Sequence, residues 1–291
     1  MKRLWGILCI MVCCTGELSA QKAAGFKGWF INNVKIANSM RTLDLSEQPA
    51  QLQLTFPRYQ AHSYLVNMGI AVILNNNTTL NYISDLNVEY HRNTLTDAEQ
   101  NNFSAGYGFK WRFANAGAAD YFMAGDLQYL YNELNATNSL GGTFLLTLFR
   151  DGKRLNWNTN NFRLNNRLLF NLAPFAGFQM QEILKSRQNG MAGFILRPEF
   201  SINTSLAFCK KAGPPYDKLL AIFCNYTGRD DAINTTSFKE HYTQLLHTGI
   251  NYYLAYSPFE VSIGASFNDG SDPLNGRTQQ QYWQVSVNFL K

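Results

Sequence analysis

Apolar and polar residues alternate at period two along most of this chain. Phe103, Ala105, Tyr107, Phe109, Trp111 and Phe113 stand against Asn102, Ser104, Gly106, Gly108, Lys110 and Arg112. Leu80, Tyr82, Ser84, Leu86, Val88 and Tyr90 share one phase of the preceding stretch, and Asn81, Ile83, Asp85, Asn87, Glu89 and His91 hold the other. Near the end Phe259, Val261, Ile263, Ala265 and Phe267 alternate with Glu260, Ser262, Gly264, Ser266 and Asn268. Successive side chains of a strand point to opposite faces, so each stretch offers one face to an apolar medium and the other to polar groups. Helical spans are ruled out, because no apolar run after residue 20 reaches the roughly 18 residues that a crossing helix needs.

Candidate strands lie at 26–36, 50–56, 62–74, 79–91, 102–114, 118–132, 141–149, 161–172, 175–184, 191–205, 216–227, 241–255, 258–267 and 279–290. Many exceed the roughly five or six residues of a globular strand and cover the roughly 9–11 that cross a hydrocarbon layer at a tilt. Composition agrees: 46% of residues are hydrophobic and 14% aromatic, yet only 15% are charged, and mean hydropathy is still −0.23. A soluble β-sandwich also alternates. It rarely carries long apolar stripes on nearly every strand, charges well inside strands on the other face, and aromatics gathered at the stripe ends. The expected fold is all-β: a single antiparallel up-and-down transmembrane β-barrel. It has about fourteen strands, or twelve if residues 21–49 form a plug.

Lys2 and Arg3, the apolar run Leu4 to Cys14, and Leu18-Ser19-Ala20 have the layout of a cleaved secretory signal. Residues 1–20 are read as that signal and 21–291 as the barrel. Val12 precedes Cys13 where a lipoprotein signal wants a small residue. Only Cys209 and Cys224 remain after cleavage, which is too few for a disulfide framework or a zinc site. A net charge of +5 is too mild to argue for nucleic acid.

The last stretch, Gln281, Trp283, Val285, Val287 and Phe289, resembles the closing strand of outer-membrane β-barrel proteins of Gram-negative bacteria, porin-like in pattern. Leu290 and Lys291 follow the terminal aromatic, a departure from that pattern. The resemblance implies the cell outer membrane as location, outer-membrane lipid as surroundings and the barrel-insertion machinery as a partner during biogenesis. It places the aromatics Trp111, Phe113, Tyr129, Tyr131, Tyr252, Tyr256, Trp283 and Phe289 at the membrane interfaces.

The polar phase then lines a lumen, with candidates Asp85, Glu89, Lys110, Arg112, Asp120, Asp126, Arg163, Arg167, Arg197, Glu199 and Glu260. Their signs nearly balance, so no ion selectivity follows. A three-residue turn at 115–117 sets Arg112 opposite Asp120, and a two-residue turn at 256–257 pairs Tyr252 with Val261 and Ile250 with Ile263. The same hairpin sets His247 opposite Ser266, a pair that would matter only to a lipid-modifying enzyme. Phosphate-binding, dinucleotide-binding and HExxH motifs are absent, so no catalytic residue, cofactor or metal is expected. Three functions remain: a channel or transporter for small polar solutes, a non-conducting barrel serving as anchor or subunit of a secretion or surface-assembly complex, and an outer-membrane lipid-modifying enzyme. On an even strand count, the connections 37–49, 75–78, 115–117, 150–160, 185–190, 228–240 and 268–278 share the outer end.

Overall fold

The computed structural model describes residues 29–30, 33–37, 50–55, 63–77, 82–94, 99–113, 120–149, 162–165, 167–210, 217–237, 241–256, 260–272, 274 and 277–290. Residues 1–20, read from the sequence as a secretory signal, lie outside them. The chain divides into two compact units, Met1–Val34 and Lys35–Lys291. In the first, Asn33 Nδ2 donates to the Trp29 carbonyl at 2.9 Å, and residues 29, 30 and 33 are helical, so of the strand expected over 26–36 the described part begins only at Val34.

Among the described residues the strands are β1 (Val34–Ala37), β2 (Ala50–Thr55), β3 (Ser63–Asn77), β4 (Tyr82–Asn93), β5 (Gln100–Phe113), β6 (Asp120–Asn132), β7 (Thr137–Phe149) and β8 (Phe162–Asn165). There follow β9 (Leu168–Lys185), β10 (Gly193–Cys209), β11 (Lys218–Asp230), β12 (Ile233–Asn234), β13 (Tyr242–Ala255), β14 (Glu260–Asp272) and β15 (Arg277–Leu290). Twelve of them form one antiparallel ring in the order β2-β3-β4-β5-β6-β7-β9-β10-β11-β13-β14-β15. The seam from β15 back to β2 is short: Val287 faces Leu52, Asn288 faces Gln51 and Phe289 faces Ala50. An all-β barrel of this kind leaves few unpaired backbone groups along its wall.

The three remaining strands extend ring positions. β12 continues the β11 position along β10, with Ile195 facing Asn234 one residue out of step with the β10–β11 ladder. β8 flanks Leu168–Phe170 of β9, beyond Ala176, where the described pairing with β7 ends. β1 pairs with β3, and Ala37 packs against Ala71.

The ring has twelve positions, the smaller of the two expected counts, because β1 lies off the ring path and the expected hairpin at 173–174 does not form. β9 instead runs unbroken for 18 residues through Ala173 and Pro174. Leu169, Ala173, Phe175, Gln179, Gln181 and Ile183 are buried on one continuous phase, so nothing in the alternation breaks there. Pro174 lies past the end of the β7 ladder, where a missing N–H costs little. Merging two expected strands also changes parity. The connections 37–49, 75–78, 115–117 and 150–160 leave from the end where β15 finishes, here the lower end. Those at 185–190, 228–240 and 268–278 leave from the upper end.

The faces are inverted relative to a water-soluble core. On β15, Trp283 is 76% exposed and Val285 66%, with Val287 and Phe289 beside them, while Gln284, Ser286 and Asn288 between them are buried. Leu127, Tyr129, Leu140, Leu146, Phe200, Ile222, Ile250 and Ile263 also point outward and stand exposed. A monomeric soluble protein rarely shows so broad an apolar surface.

Registers shift from those expected while keeping their faces. Tyr252 faces Ile263 and Ile250 faces Ala265, two residues from the expected partners, because the β13–β14 ladder carries an irregularity between Tyr253 and Ala255. Arg112 lies across from Phe122, yet its Nε still donates diagonally to Asp120 Oδ2 at 2.7 Å.

Candidate functional site: the interior of the ring

The inward phases of β9, β10, β11 and β14 bring together a charge network at the upper end. Arg197 Nε donates to Asp231 Oδ1 at 2.7 Å, and both side chains are at most 1% exposed. Arg197 Nη1 reaches Gln179 Oε1 and Gln181 Oε1, each at 3.3 Å. Asn234 Nδ2 donates to Asp231 Oδ2 at 2.6 Å. Next to it, Arg229 Nε donates to Glu199 Oε2 at 3.0 Å, and Arg229 Nη2 stands 3.7 Å from Asp272 Oδ1. Two guanidinium groups thus meet three carboxylates with almost no solvent between them. Charges removed from water persist only when paired in this way.

The ring's other side holds His91, whose Nδ1 lies 3.1 Å from Asn67 Oδ1 and Nε2 3.1 Å from Glu89 Oε2. Asn87 Nδ2 donates to Asp85 Oδ1 at 3.0 Å. Lower down, Asn288 Nδ2 donates to Asn251 Oδ1 at 3.2 Å, and Ser286 Oγ donates to Asn288 Oδ1 at 2.7 Å.

A belt of inward polar atoms has no protein partner. On β5, β6, β7 and β9 these are Ser104 Oγ, Gln128 Nε2, Thr143 Oγ1 and Gln179 Nε2. On β11, β13 and β14 they are both amide atoms of Asn225, Arg229 Nη1, Thr243 Oγ1, Ser266 Oγ and Asn268 Nδ2. A buried polar atom without a partner costs about 1–3 kcal/mol, and native interiors hold few of them. So many side by side call for water or a polar solute.

The interior is not polar throughout. Leu145, Ala173 and Phe175 form one buried cluster with Phe122 against it, and Leu169, Ala207, Cys209, Ala221 and Tyr253 form another. Tyr256 belongs to this second group: it packs inward and stacks on Tyr253 at 5.8 Å, so it does not join the exposed aromatics. Burial pushes its phenol well above the ordinary value, with Glu260 adding to the effect. Lys210 and Lys218 lie over the Tyr256 and Tyr253 rings at 5.5 and 5.4 Å.

The upper mouth is crossed from one side. The β14–β15 ladder shifts between Gly270 and Asp272, where Gly270 has φ +125° and a Cβ would collide with the Gln244 carbonyl. Gly270, Ser271 and Asp272 are buried, and Leu274 beyond them is 0% exposed. A Cβ built on Gly141 of β7 would stand 3.0 Å from both Leu274 Cδ2 and Leu130 Cδ1. In the ring of twelve, β7 and β6 lie five and six positions from β14, so Leu274 meets the opposite wall.

Of the sequence-derived lumen residues, Glu89, Asp126, Arg197 and Glu199 are buried on the inward phase, and Asp85 and Lys110 are half-buried on it. Arg112 and Asp120 pair at the lower rim, where Glu260 Oε2 also comes within 4.0 Å of Lys218 Nζ. Arg167 is exposed in the turn before β9, and the Arg163 side chain lies outside the described residues. Trp111, Tyr129, Tyr131, Tyr252, Trp283 and Phe289 are exposed on the outer face, and Phe113 packs at a tilt against Trp111 with ring centres 4.1 Å apart.

His247 does not face Ser266. It lies across from Asn268 and edge-on to Phe223, and Ser266 lies across from Gly249. Arg229 and Asp272 escaped the sequence reading because the candidate strands 216–227 and 258–267 stop short of them. Both continue the inward phase, so extending the alternation by a few residues would have found them. Leu274 carries no such signal. Among the described residues no group of three or more His, Cys, Asp or Glu could hold a metal ion. No protein-family model matches the chain, and no curated protein matches it in sequence.

Proposed function

We propose that this chain is an outer-membrane β-barrel whose interior passes small polar solutes, in a conformation closed at its upper mouth. The observation that carries this reading is the belt of inward polar atoms lacking protein partners, from Ser104 and Gln128 round to Ser266 and Asn268. A purely structural interior would pair such groups or replace them with apolar ones. The exposed stripes ending in Trp283 and Phe289 support a lipid setting, and the leader-like first twenty residues support export. Conductance across planar lipid bilayers tests the reading: discrete steps are expected, and their absence in every salt overturns it.

The seating of Leu274 on the far wall favours a second reading, a non-conducting barrel that anchors or joins an envelope complex. Permanent silence in the bilayer, with stable co-purification of another envelope protein, would select it.

A further inference from the structure

We propose that the inner wall over β11, β13 and β14 holds a binding site for a neutral ring that bears hydroxyl groups, a sugar in chemical class. The site gives the channel reading above its solute class and rests on that reading.

Two adjacent rows of side chains make the site. Phe223 faces Gly249, which faces Ser266. Beside that row on the same inward phase, Asn225 faces His247, which faces Asn268. A Cβ on Gly249 would stand 2.8 Å from Phe223 Cζ, so the ring reaches sideways over β13 instead of standing up into the interior. His247 meets that ring edge-on, with ring centres 4.8 Å apart. An apolar ring thus lies beside a few placed amides and a hydroxyl, the make-up of a small-molecule site.

The polar atoms select the class. Asn225, Ser266 and Asn268 are each more than nine-tenths buried. Asn225 Oδ1, Asn225 Nδ2, Ser266 Oγ and Asn268 Nδ2 have no protein partner, and together they both donate and accept. An anion would satisfy the amide N–H groups but set its negative oxygens against Asn225 Oδ1. An ammonium would satisfy that oxygen and leave the N–H groups unpaired. A hydroxyl donates and accepts, so neighbouring hydroxyls on one ring answer the whole set. Fixed charge is also missing from this arc of wall. From Ala221 to Thr227 on β11, Thr243 to Tyr253 on β13 and Ser262 to Gly270 on β14, no inward-facing residue is Asp, Glu, Lys or Arg. The Arg229 guanidinium above is held by Glu199 and Asp272, and Glu89 and Asp126 stand across the ring on β4 and β6.

Titration of the purified full chain with glucose and maltose, followed by saturation-transfer NMR, tests the site. The micelles are of lauryldimethylamine oxide, which has no sugar head group, and acetate and methylammonium serve as charged counterparts. Both sugars are expected to bind about ten-fold tighter than either ion, or more. Asn225→Leu and Asn268→Leu keep the branching of the side chain and remove its polar end, so each should weaken sugar binding by about three-fold to ten-fold. The lost atoms had no protein partner, so the urea midpoint of each variant should hold or rise. A midpoint that falls while sugar binding stays unchanged would assign these amides to structure and overturn the site. Tighter binding of either ion, or no sugar binding because water alone fills the wall, would overturn it as well, and conductance steps in planar bilayers would then leave the channel standing. Sugar binding that both variants weaken, with no steps in any salt, would overturn the channel and leave the site.

Discussion

Arg197 and Asp231 form an ion pair at 2.7 Å that spans 34 residues of sequence and lies almost wholly out of solvent. Asp231 follows β11 at its upper end, and Arg197 stands on β10, so the pair pins the wall where β11 gives way to β12. Removing one partner strands the other. Asp231→Ala is expected to cost about 3–5 kcal/mol of folding free energy. Replacing both residues with apolar ones of similar volume should cost clearly less. Urea unfolding in detergent micelles, followed by tryptophan fluorescence, checks both, and equal losses would refute the pairing as the cause.

Val285 and Gln284 are neighbours on β15 with opposite fates, one exposed and one buried. If the exposed face meets lipid, Val285→Arg near the middle of the wall should destabilise the barrel in a bilayer by about 2–4 kcal/mol. In a water-facing position the same change would be nearly neutral. Refolding into vesicles measures the difference directly.

Asn288 faces Gln51 across the seam that closes the ring. Cysteines at these two positions should form a disulfide readily, since directly paired residues fall within its Cα range of roughly 4.4–6.8 Å. In a background lacking Cys209 and Cys224, oxidation should shift the gel mobility of the unfolded chain. Failure to crosslink would mean that β15 closes on a different strand.

Gly264 lies between Asn251 and Asn288, where a Cβ would collide with Asn251 Oδ1 and stand 2.7 Å from Asn288 Nδ2. Gly264→Ala should therefore push these two amide ends apart and lose the hydrogen bond between them, at a cost of about 0.5–1.5 kcal/mol. Combining it with Asn251→Ala should recover part of that loss, because the colliding atom is gone. A double-mutant cycle on the urea midpoints measures the recovery.

The alternation of Phe103 to Phe113 and of Gln281 to Phe289 was enough to assign the residues of β5 and β15 to their faces. Side chains repeat every two residues, so a slip of one position would turn the apolar set inward. A slip of two leaves both faces unchanged. For that reason the hairpin of β13 and β14 kept its faces while His247 moved from Ser266 to Asn268. Composition misplaced one strand boundary: Ala173 and Pro174 look like a turn, but the phase of Leu169, Phe175 and Gln179 runs through them.

The sequence by itself thus determined the strand character and the two faces, because these depend on residues near one another. Tertiary structure alone decided which strands are neighbours, which end each connection leaves from, the pairing of Arg197 with Asp231, and the seat of Leu274 on Gly141. Each of those depends on distant segments meeting in space, and a period of two carries no information about distance.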